Sequence, residues 1–170
     1  MIIKTLKLLF ALLVILSVAS VLLLFTPLGD RPLTQIFPVG EVKPIDFKNL
    51  SLKDSPNQYL VCPADYCAAP ANAVSPIFNI AAGTLQKRWQ KMLDHEANIS
   101  RQTAINTATQ ETVIQRTAWV RYPDIITVEF IPLGQDRSSL AIYSRSIYGR
   151  SDFGENQKRV ENWIQNFEAK

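Results

Sequence analysis

The fold of this chain is decided by residues 144–160, which read SRSIYGRSDFGENQKRV. The first three residues end an alternating strand, and Gly149 predicts a turn after it. Asp152 followed three residues later by Glu155 is a capping-box pattern, which predicts that a helix begins at Ser151 or Asp152. The segment therefore joins the last strand of the chain to its last helix, and it is rich in Arg, Ser, Asp and Asn.

Two amphipathic helices are predicted outside the N-terminal region. The last helix has an apolar face at i, i+3, i+4 and i+7, formed by Val160, Trp163, Ile164 and Phe167. An earlier helix is predicted over residues 81–97, with its apolar face formed by Leu85, Trp89, Met92 and Leu93. Each helix has one apolar face, so both can cover the same side of a sheet.

Four strand-like segments lie between these helices. They are residues 99–106, 112–121, 125–133 and 138–146. The connections at Pro123-Asp124 and at residues 134–137 are short turns, which favours an antiparallel meander. The sequence therefore predicts a two-layer α+β domain in the order helix, four-stranded antiparallel sheet, helix.

The N-terminal region is strongly apolar. Residues 8–28 carry no charge, and Lys4 and Lys7 precede them. About 20 apolar residues are needed to cross a bilayer as a helix, and flanking lysines favour the cytoplasmic side. We predict a transmembrane anchor over residues 1–28, a cytoplasmic N-terminus, and a single-pass protein of the inner membrane with its domain in the periplasm.

The alternative for this region is a cleaved signal peptide. Residues 18–20, Val-Ala-Ser, include the small side chains that cleavage needs. However, the apolar run continues through residues 21–25, whereas the apolar part of a signal peptide is about 7–15 residues long. The length of the run therefore favours an uncleaved anchor.

Residues 27–76 contain eight of the ten prolines. Proline removes a backbone donor and favours extended conformations in the residue before it. We predict an extended spacer over residues 29–60 and a soluble domain over residues 61–170. Apolar residues recur in the spacer, which leaves open that it lies against the domain or a partner.

Cys62 and Cys67 are the only cysteines of the chain. Thiols outside the cytoplasm oxidise, so the first interpretation is a disulfide. A redox-active pair is an alternative, but the spacing is not the Cys-x-x-Cys of thioredoxin-like proteins. We predict no metal site, because two cysteines and a distant His95 do not form convincing zinc spacing. The net charge of +3, without a long basic run, argues against nucleic acid.

Three motifs resemble one known family. The pattern SRSxxGRSDFGxNxxRV over residues 144–160 resembles the C-terminal signature of the bacterial and plastid proteins grouped as domain of unknown function 1499 (DUF1499). Tyr122-Pro123-Asp124 resembles the pattern that precedes an apolar strand in that family. Cys62-Pro63 and residues 70–75 resemble its N-terminal segment, although here the second cysteine is Cys67. The resemblance covers residues 62–167 and implies no activity, cofactor or catalytic residue.

The polar residues of the signature suggest an anion site. Alternation places Arg145 on the same strand face as Tyr143. Arg150 and Ser151 precede a helix N-terminus, where free amides and the helix dipole favour an anion, and arginine binds carboxylate or phosphate in a bidentate manner. The hypothesis is a ligand site built from Arg145, Arg150, Ser151, Asn156 and Arg159.

A structural role is the alternative for the same residues. Asp152 would then cap the helix, Asn156 and Arg159 would tie the helix to strand ends, and Arg145 would pair with Asp124 or Glu129. Buried polar clusters of this kind often specify a fold without binding anything.

No catalytic motif is recognisable. The serines of the signature have no histidine nearby in the sequence, and no phosphate loop, zinc-protease motif or dinucleotide fingerprint is present. We predict a non-catalytic binding or accessory module without a cofactor, held at the membrane by its N-terminal helix. It would act with an envelope protein partner or a small anionic ligand. The alternative is a hydrolase-like envelope enzyme acting on a lipid or cell-wall substrate.

Overall fold

The computed structural model describes residues 2–24, 34–118 and 120–168. The chain divides into two units. The first unit contains helix α1 (Ile2–Leu24), in which Ile3–Leu22 is long and apolar enough to cross a membrane. Ser17 and Ser20 donate to carbonyls of the preceding turn, so both hydroxyls are satisfied within the helix. The predicted end of the anchor at residue 28 and the beginning of the spacer lie outside the described residues.

The second unit is an α+β domain formed by residues 39–117 and 122–170. Its helices are α2 (Ala82–Leu93) and α3 (Glu155–Glu168). Its strands are β1 (Gln58–Cys62), β2 (Ala73–Val74), β3 (Ile99–Arg101), β4 (Gln110–Arg116), β5 (Pro123–Pro132) and β6 (Ser138–Ser146). Their order in the sheet is β2-β1-β6-β5-β4-β3. Short 3-10 turns occupy Phe47–Asn49 and Thr103–Ile105.

The predicted antiparallel meander is present as β3 to β6, and the predicted bounds of β6 are confirmed. The prediction of a four-stranded, purely antiparallel sheet is wrong, because β1 adds to β6 and β2 pairs with β1 in parallel. The predicted first strand is also shorter than expected, since a 3-10 turn replaces it after Arg101. Trp119, predicted to alternate in the second strand, lies outside the described residues.

One face of the sheet, here called the helix face, is covered by both helices, as predicted. Trp89 of α2 packs edge-on against Trp163 of α3, with ring centroids 5.2 Å apart. Phe130 of β5 and Phe167 of α3 complete the aromatic cluster. Burial of these large rings supplies much of the apolar area that stabilises the domain. The helix face is therefore the main core.

The opposite face is covered by residues 45–52, here called the strap, and we name it the strap face. Phe47 is 1% exposed and packs with Leu60 and Tyr143. The Gln110 side chain donates to the carbonyl of Ile45 and accepts from its amide, each bond measuring 2.8 Å. The two-layer prediction therefore omitted a covering segment, and part of the chain predicted as spacer packs on the sheet.

Strand β5 is buried on both faces. Thr127 lies on the side opposite Ile126 and Val128, and it is fully buried on the strap face. Its hydroxyl is 3.2 Å from that of Thr112 on the adjacent strand, so the two polar groups satisfy each other. The sheet is therefore buried on both sides, whereas the predicted two-layer arrangement covers one.

Candidate anion site and signature network

Arg159 links α3 to three strands on the helix face. Its guanidinium donates to Asp124 Oδ2 of β5 at 2.5 Å and to Ser144 Oγ of β6 at 2.9 Å. It also donates to Gln115 Oε1 of β4 at 2.5 Å. The register places Gln115 opposite Asp124 and Asp124 opposite Ser146, so these acceptors lie on adjacent strands. The guanidinium of Arg159 therefore has its hydrogen-bond acceptors within the protein.

Asn156 is fully buried beside Arg159. Its Oδ1 accepts from Ser144 Oγ at 2.5 Å and from the Arg159 guanidinium at 2.8 Å. Its Nδ2 donates to Asp152 Oδ2 at 2.6 Å, and it also contacts Ser146 Oγ and the carbonyl of Asn57, each at 3.1 Å. Ser146 Oγ in turn donates to Asp124 Oδ1 at 2.6 Å. The side chain of Asn156 therefore ties α3 to β6 and to the segment before β1.

Asp152 uses its carboxylate at the start of α3. It accepts from the amides of Asn156 at 2.8 Å and Gly154 at 3.2 Å. The predicted use of Asp152 as a cap is confirmed. The predicted start of the helix is wrong, because Gly154 has a left-handed backbone with φ of 81° and the helix begins at Glu155. Glu155 is therefore the first helical residue and not the third.

These contacts form a closed network of Asp124, Ser144, Ser146, Asp152, Asn156 and Arg159. We call it the signature network. Each member donates to or accepts from another member, and the Asp124 and Arg159 side chains are only 6% and 11% exposed. A buried pair of this kind is strongly destabilised when one partner is removed. Asn156 and Arg159 are thus placed in the positions that the structural alternative predicted.

Arg145 lies on the strap face, away from Arg159. Its guanidinium carbon is 4.8 Å from the centre of the Tyr143 ring, an arrangement that permits a cation–π interaction. Burial lowers the pKa of Arg145, and the neighbouring Tyr143 acts in the opposite direction. Its Nη1 is buried and has no hydrogen-bond partner among the described residues. Arg145 is partly buried, and its Nη1 is therefore a buried donor without an acceptor.

The predicted carboxylate partners of Arg145 are engaged elsewhere. Asp124 points to the helix face and pairs with Arg159. Glu129 shares the strap face with Arg145, but it pairs with Ala141 in the register, while Arg145 pairs with Ile125. The prediction that Arg145 pairs with Asp124 is therefore wrong. Gln58, its cross-strand neighbour in β1, accepts from the Tyr143 hydroxyl and donates to the carbonyls of Lys53 and Ser55.

Arg150 and Ser151 lie in the loop between β6 and α3. Arg150 is exposed, and its carbonyl accepts from Ser55 Oγ at 3.1 Å. Ser151 is also exposed, and its Oγ accepts from the amide of Phe153 at 3.2 Å. The five predicted site residues thus fall into three places. Asn156 and Arg159 are in the network on the helix face, Arg145 is on the strap face, and Arg150 and Ser151 are in the loop.

A second polar group on the strap face was missed by sequence reasoning. Burial raises the pKa of Glu129, while a hydrogen bond from Tyr66 and the charge of Lys48 oppose the rise. Burial and the nearby Glu129 carboxylate raise the pKa of Tyr66 to about 12. Lys48 Nζ lies 5.4 Å from the centre of the Tyr66 ring. The strap brings Lys48 to this group, whereas Tyr66 reaches it from the connection between β1 and β2 and Glu129 from β5.

A cleft of about 420 Å³ lies between the ends of α2 and α3. It contains the lone histidine, His95, and its floor includes Met92 and Phe167. Its charged residues are Arg88, Lys91 and Glu96. Because the C-terminal ends of helices carry partial negative charge, they offset the attraction of these cations for an anion. The described residues contain no group of three His, Cys, Asp or Glu that could hold a metal ion.

Cys62 and Cys67 are placed for the predicted bridge. Their sulfur atoms lie at disulfide-bonding distance and their Cα atoms are 6.2 Å apart. This separation is within the usual range for a disulfide. The bridge closes the turn that leads from β1 toward β2.

The motifs of residues 144–160 are part of a longer similarity. A match to the family described as "Protein of unknown function (DUF1499)" extends over residues 43–167. The chain belongs to the DUF1499 family. In this DUF1499 protein the matched region begins before the strap, so it includes residues that were predicted to be spacer. Searches of curated proteins and of solved structures found no match.

Proposed function

We propose that this DUF1499 protein is a membrane-anchored, non-catalytic binding module whose periplasmic domain binds a small anionic ligand at Arg145. The observation that carries the proposal is the state of the Arg145 guanidinium. It is stacked on Tyr143, and its Nη1 is buried without an acceptor in the described part of the chain. A carboxylate or phosphate is the natural acceptor for such a group.

Arg159 is the internal comparison for Arg145. Both arginines approach the same sheet, but Arg159 has Asp124, Ser144 and Gln115 as acceptors. Taking a cation out of water without an acceptor costs several kcal/mol, whereas a cation–π contact returns about 0.5–2 kcal/mol. Arg145 is only partly buried, but its Nη1 is a buried donor that an anionic ligand would satisfy. Arg159 has acceptors for its guanidinium within the protein and needs no ligand.

The membrane part of the proposal is supported by α1. Its span from Ile3 to Leu22 has a mean hydropathy of 2.4. Lys4 and Lys7 near its N-terminal end favour a cytoplasmic N-terminus, which directs the domain to the periplasm. An oxidising periplasm also suits the placement of Cys62 and Cys67 at disulfide-bonding distance.

Native mass spectrometry of the full-length chain in mild detergent tests the ligand directly. We expect an anionic small molecule that is lost in Arg145→Gln and retained in Arg150→Gln, since Arg150 is exposed in the loop. Calorimetric titration with inorganic phosphate and with acetate then separates the two anion classes. Equal binding by the wild type and Arg145→Gln would contradict the site. A co-purifying envelope protein would instead identify an accessory subunit.

The competing hypothesis is a hydrolase-like envelope enzyme acting on a lipid or cell-wall substrate. Such an enzyme needs a nucleophile and a base in one pocket. Ser144 and Ser146 are buried in the signature network, and His95 lies in the cleft between the helix ends. We therefore favour binding over catalysis. Turnover of a lipid or peptidoglycan fragment by the purified chain would contradict this choice.

A further inference from the structure

The loop between β6 and α3, residues 147–154, presents an aromatic side chain to solvent. Phe153 is 95% exposed, and its φ of 56° is in the left-handed region. Bulky non-glycine residues rarely adopt this conformation, because it brings the side chain close to its own backbone. Phe153 therefore combines a strained backbone with an exposed ring.

The loop holding Phe153 is fixed at several points. Asn57 Nδ2 donates to the carbonyl of Gly149 at 2.6 Å, and Ser55 Oγ donates to that of Arg150. On the other side, Asp152 accepts from the amides of Gly154 and Asn156. Phe153 itself donates its amide to Ser151 Oγ. The exposure of Phe153 thus results from a hydrogen-bonded loop that is continuous with the signature network.

The surroundings of Phe153 combine a cation with aromatic residues. Arg150 is exposed three residues earlier. Tyr148, at the start of the loop, has its ring centroid 6.2 Å from that of Tyr122. Tyr is enriched at the headgroup region of bilayers, whereas Phe beside Lys or Arg inserts at the boundary between headgroups and acyl chains. The loop has the composition of a membrane-interface element.

We propose that Phe153 and Arg150 dock the domain onto the surface of the bilayer in which α1 is anchored. This inference rests on the proposed membrane anchor. Residues 25–44 join α1 to the strap, and their fully extended length is at most about 70 Å, so the domain is confined near the membrane. A short tether raises the local concentration, which lets a small contact suffice.

The size of the loop surface favours a bilayer over a protein partner. One exposed aromatic ring contributes roughly 150–250 Å² of contact area, whereas a stable protein interface buries about 800 Å² on each partner. Insertion of a single ring beside a cation needs no complementary pocket. Arg150 adds attraction to anionic lipid headgroups, and this attraction is screened by salt.

Tryptophan quenching in brominated lipid tests the docking. The full-length Phe153→Trp variant is reconstituted in vesicles of equimolar phosphatidylglycerol and phosphatidylcholine, with brominated or unbrominated acyl chains. The wild-type chain, which has Trp89, Trp119 and Trp163, provides the background signal. We expect the added indole to lose roughly half its fluorescence in brominated vesicles, because a docked ring reaches the boundary between headgroups and brominated acyl chains. Arg150→Gln in the same background is expected to weaken quenching, most clearly in anionic vesicles.

Val74→Trp provides the matched control, because Val74 is an exposed apolar residue on edge strand β2, outside the loop. Quenching of Phe153→Trp no greater than that of Val74→Trp would overturn the docking. Extraction of the vesicles with alkaline carbonate separates the two proposals. A chain that stays in the vesicles without Phe153→Trp quenching contradicts docking alone, whereas a chain released by carbonate contradicts the anchor.

Discussion

The Asp124 carboxylate and the Arg159 guanidinium are 2.5 Å apart and join α3 to β5, a central strand of the sheet. Both side chains are nearly buried, and both are surrounded by hydroxyl and amide groups of the signature network. Such surroundings satisfy the remaining donors and acceptors, which is the condition under which a buried ion pair is tolerated. The pair therefore specifies how α3 docks on the sheet.

Arg159→Gln should destabilise the domain by about 3–5 kcal/mol, because it leaves the Asp124 carboxylate buried without its cation. The expected fall in melting temperature is on the order of 10 °C, measured by circular dichroism on the full-length chain. The control is Arg101→Gln, because the Arg101–Asp94 pair is much more exposed and should contribute less than about 1 kcal/mol. Equal losses in both variants would contradict the structural role of the network.

Two phenylalanines provide a matched test of the strap. Phe47→Ala removes a ring that is 1% exposed on the strap face and should cost about 3–5 kcal/mol. Phe153→Ala removes a fully exposed ring and should change stability by less than about 0.5 kcal/mol in detergent. Chemical denaturation of both variants measures the difference. If Phe47→Ala leaves the free energy of unfolding unchanged, residues 45–52 do not stabilise the domain and are better described as a spacer.

Arg145→Met separates a ligand-binding role from a structural one. Replacing a partly buried arginine whose Nη1 lacks an acceptor by an apolar side chain of similar length should raise the free energy of unfolding when no anion is added. Arg159→Met should lower it, because that arginine has internal partners. Thermal unfolding in anion-free buffer distinguishes the two. Destabilisation of both variants would favour a structural role for Arg145.

Stability should depend on the ionisation of Glu129. Burial raises its pKa in the folded protein, so the folded state binds a proton more tightly than the unfolded state. The stabilising contribution of protonated Glu129 is then present at pH values below its ordinary pKa and is lost as pH rises through the raised value. Glu129→Gln should be more stable than the wild type at neutral pH and lose this dependence.

The matched control for this pH effect is Glu41→Gln. Glu41 is an exposed residue paired with Lys43. Unfolding by denaturant is compared from pH 4 to pH 8 for the three proteins. If the free energy of unfolding of Glu129→Gln depends on pH in the same way as that of the wild type, another group is responsible.

Reduction should destabilise the wild-type domain. A bridge between Cys62 and Cys67 closes a short loop, for which the chain-entropy model gives a stabilisation of about 2 kcal/mol. Dithiothreitol should therefore lower the melting temperature of the wild type and leave a Cys62→Ser, Cys67→Ser variant unchanged. Intact mass before and after alkylation reports the oxidation state independently. Equal sensitivity of both proteins to the reductant would rule out the bridge as its cause.

The sequence allowed β6 and the core faces of both helices to be predicted, since periodicity and short turns define them locally. It also contained enough information to place Asp124. Residues Pro132 and Ser138 flank the β5–β6 hairpin, and counting back from this pair puts Asp124 opposite Ser146 on the helix face. Arg145 lies on the other face by the same alternation, so its pairing with Asp124 could have been rejected.

Strand β1 and the strap could not be derived in this way. Tyr59, Leu60 and Val61 form an apolar run buried on both faces, and such a run has no alternation to reveal it. The Gln110–Ile45 pair joins residues far apart in the sequence, and no local pattern predicts it. For the same reason, the sequence suggested a single anion site. In the folded domain its residues lie on the helix face, on the strap face and in the loop between β6 and α3.

The Gln110–Ile45 pair has a mechanical consequence. With α1 anchored in a membrane, as proposed, a pull along the chain reaches Ile45 and Phe47 before it reaches β1, which lies inside the sheet next to β6. The Gln110–Ile45 hydrogen bonds, the bond from the Ala68 amide to the Phe47 carbonyl and the packing of the Phe47 ring would be lost first, lengthening the connection while the six strands stay paired. Release of the strap would then protect the sheet from unfolding under force.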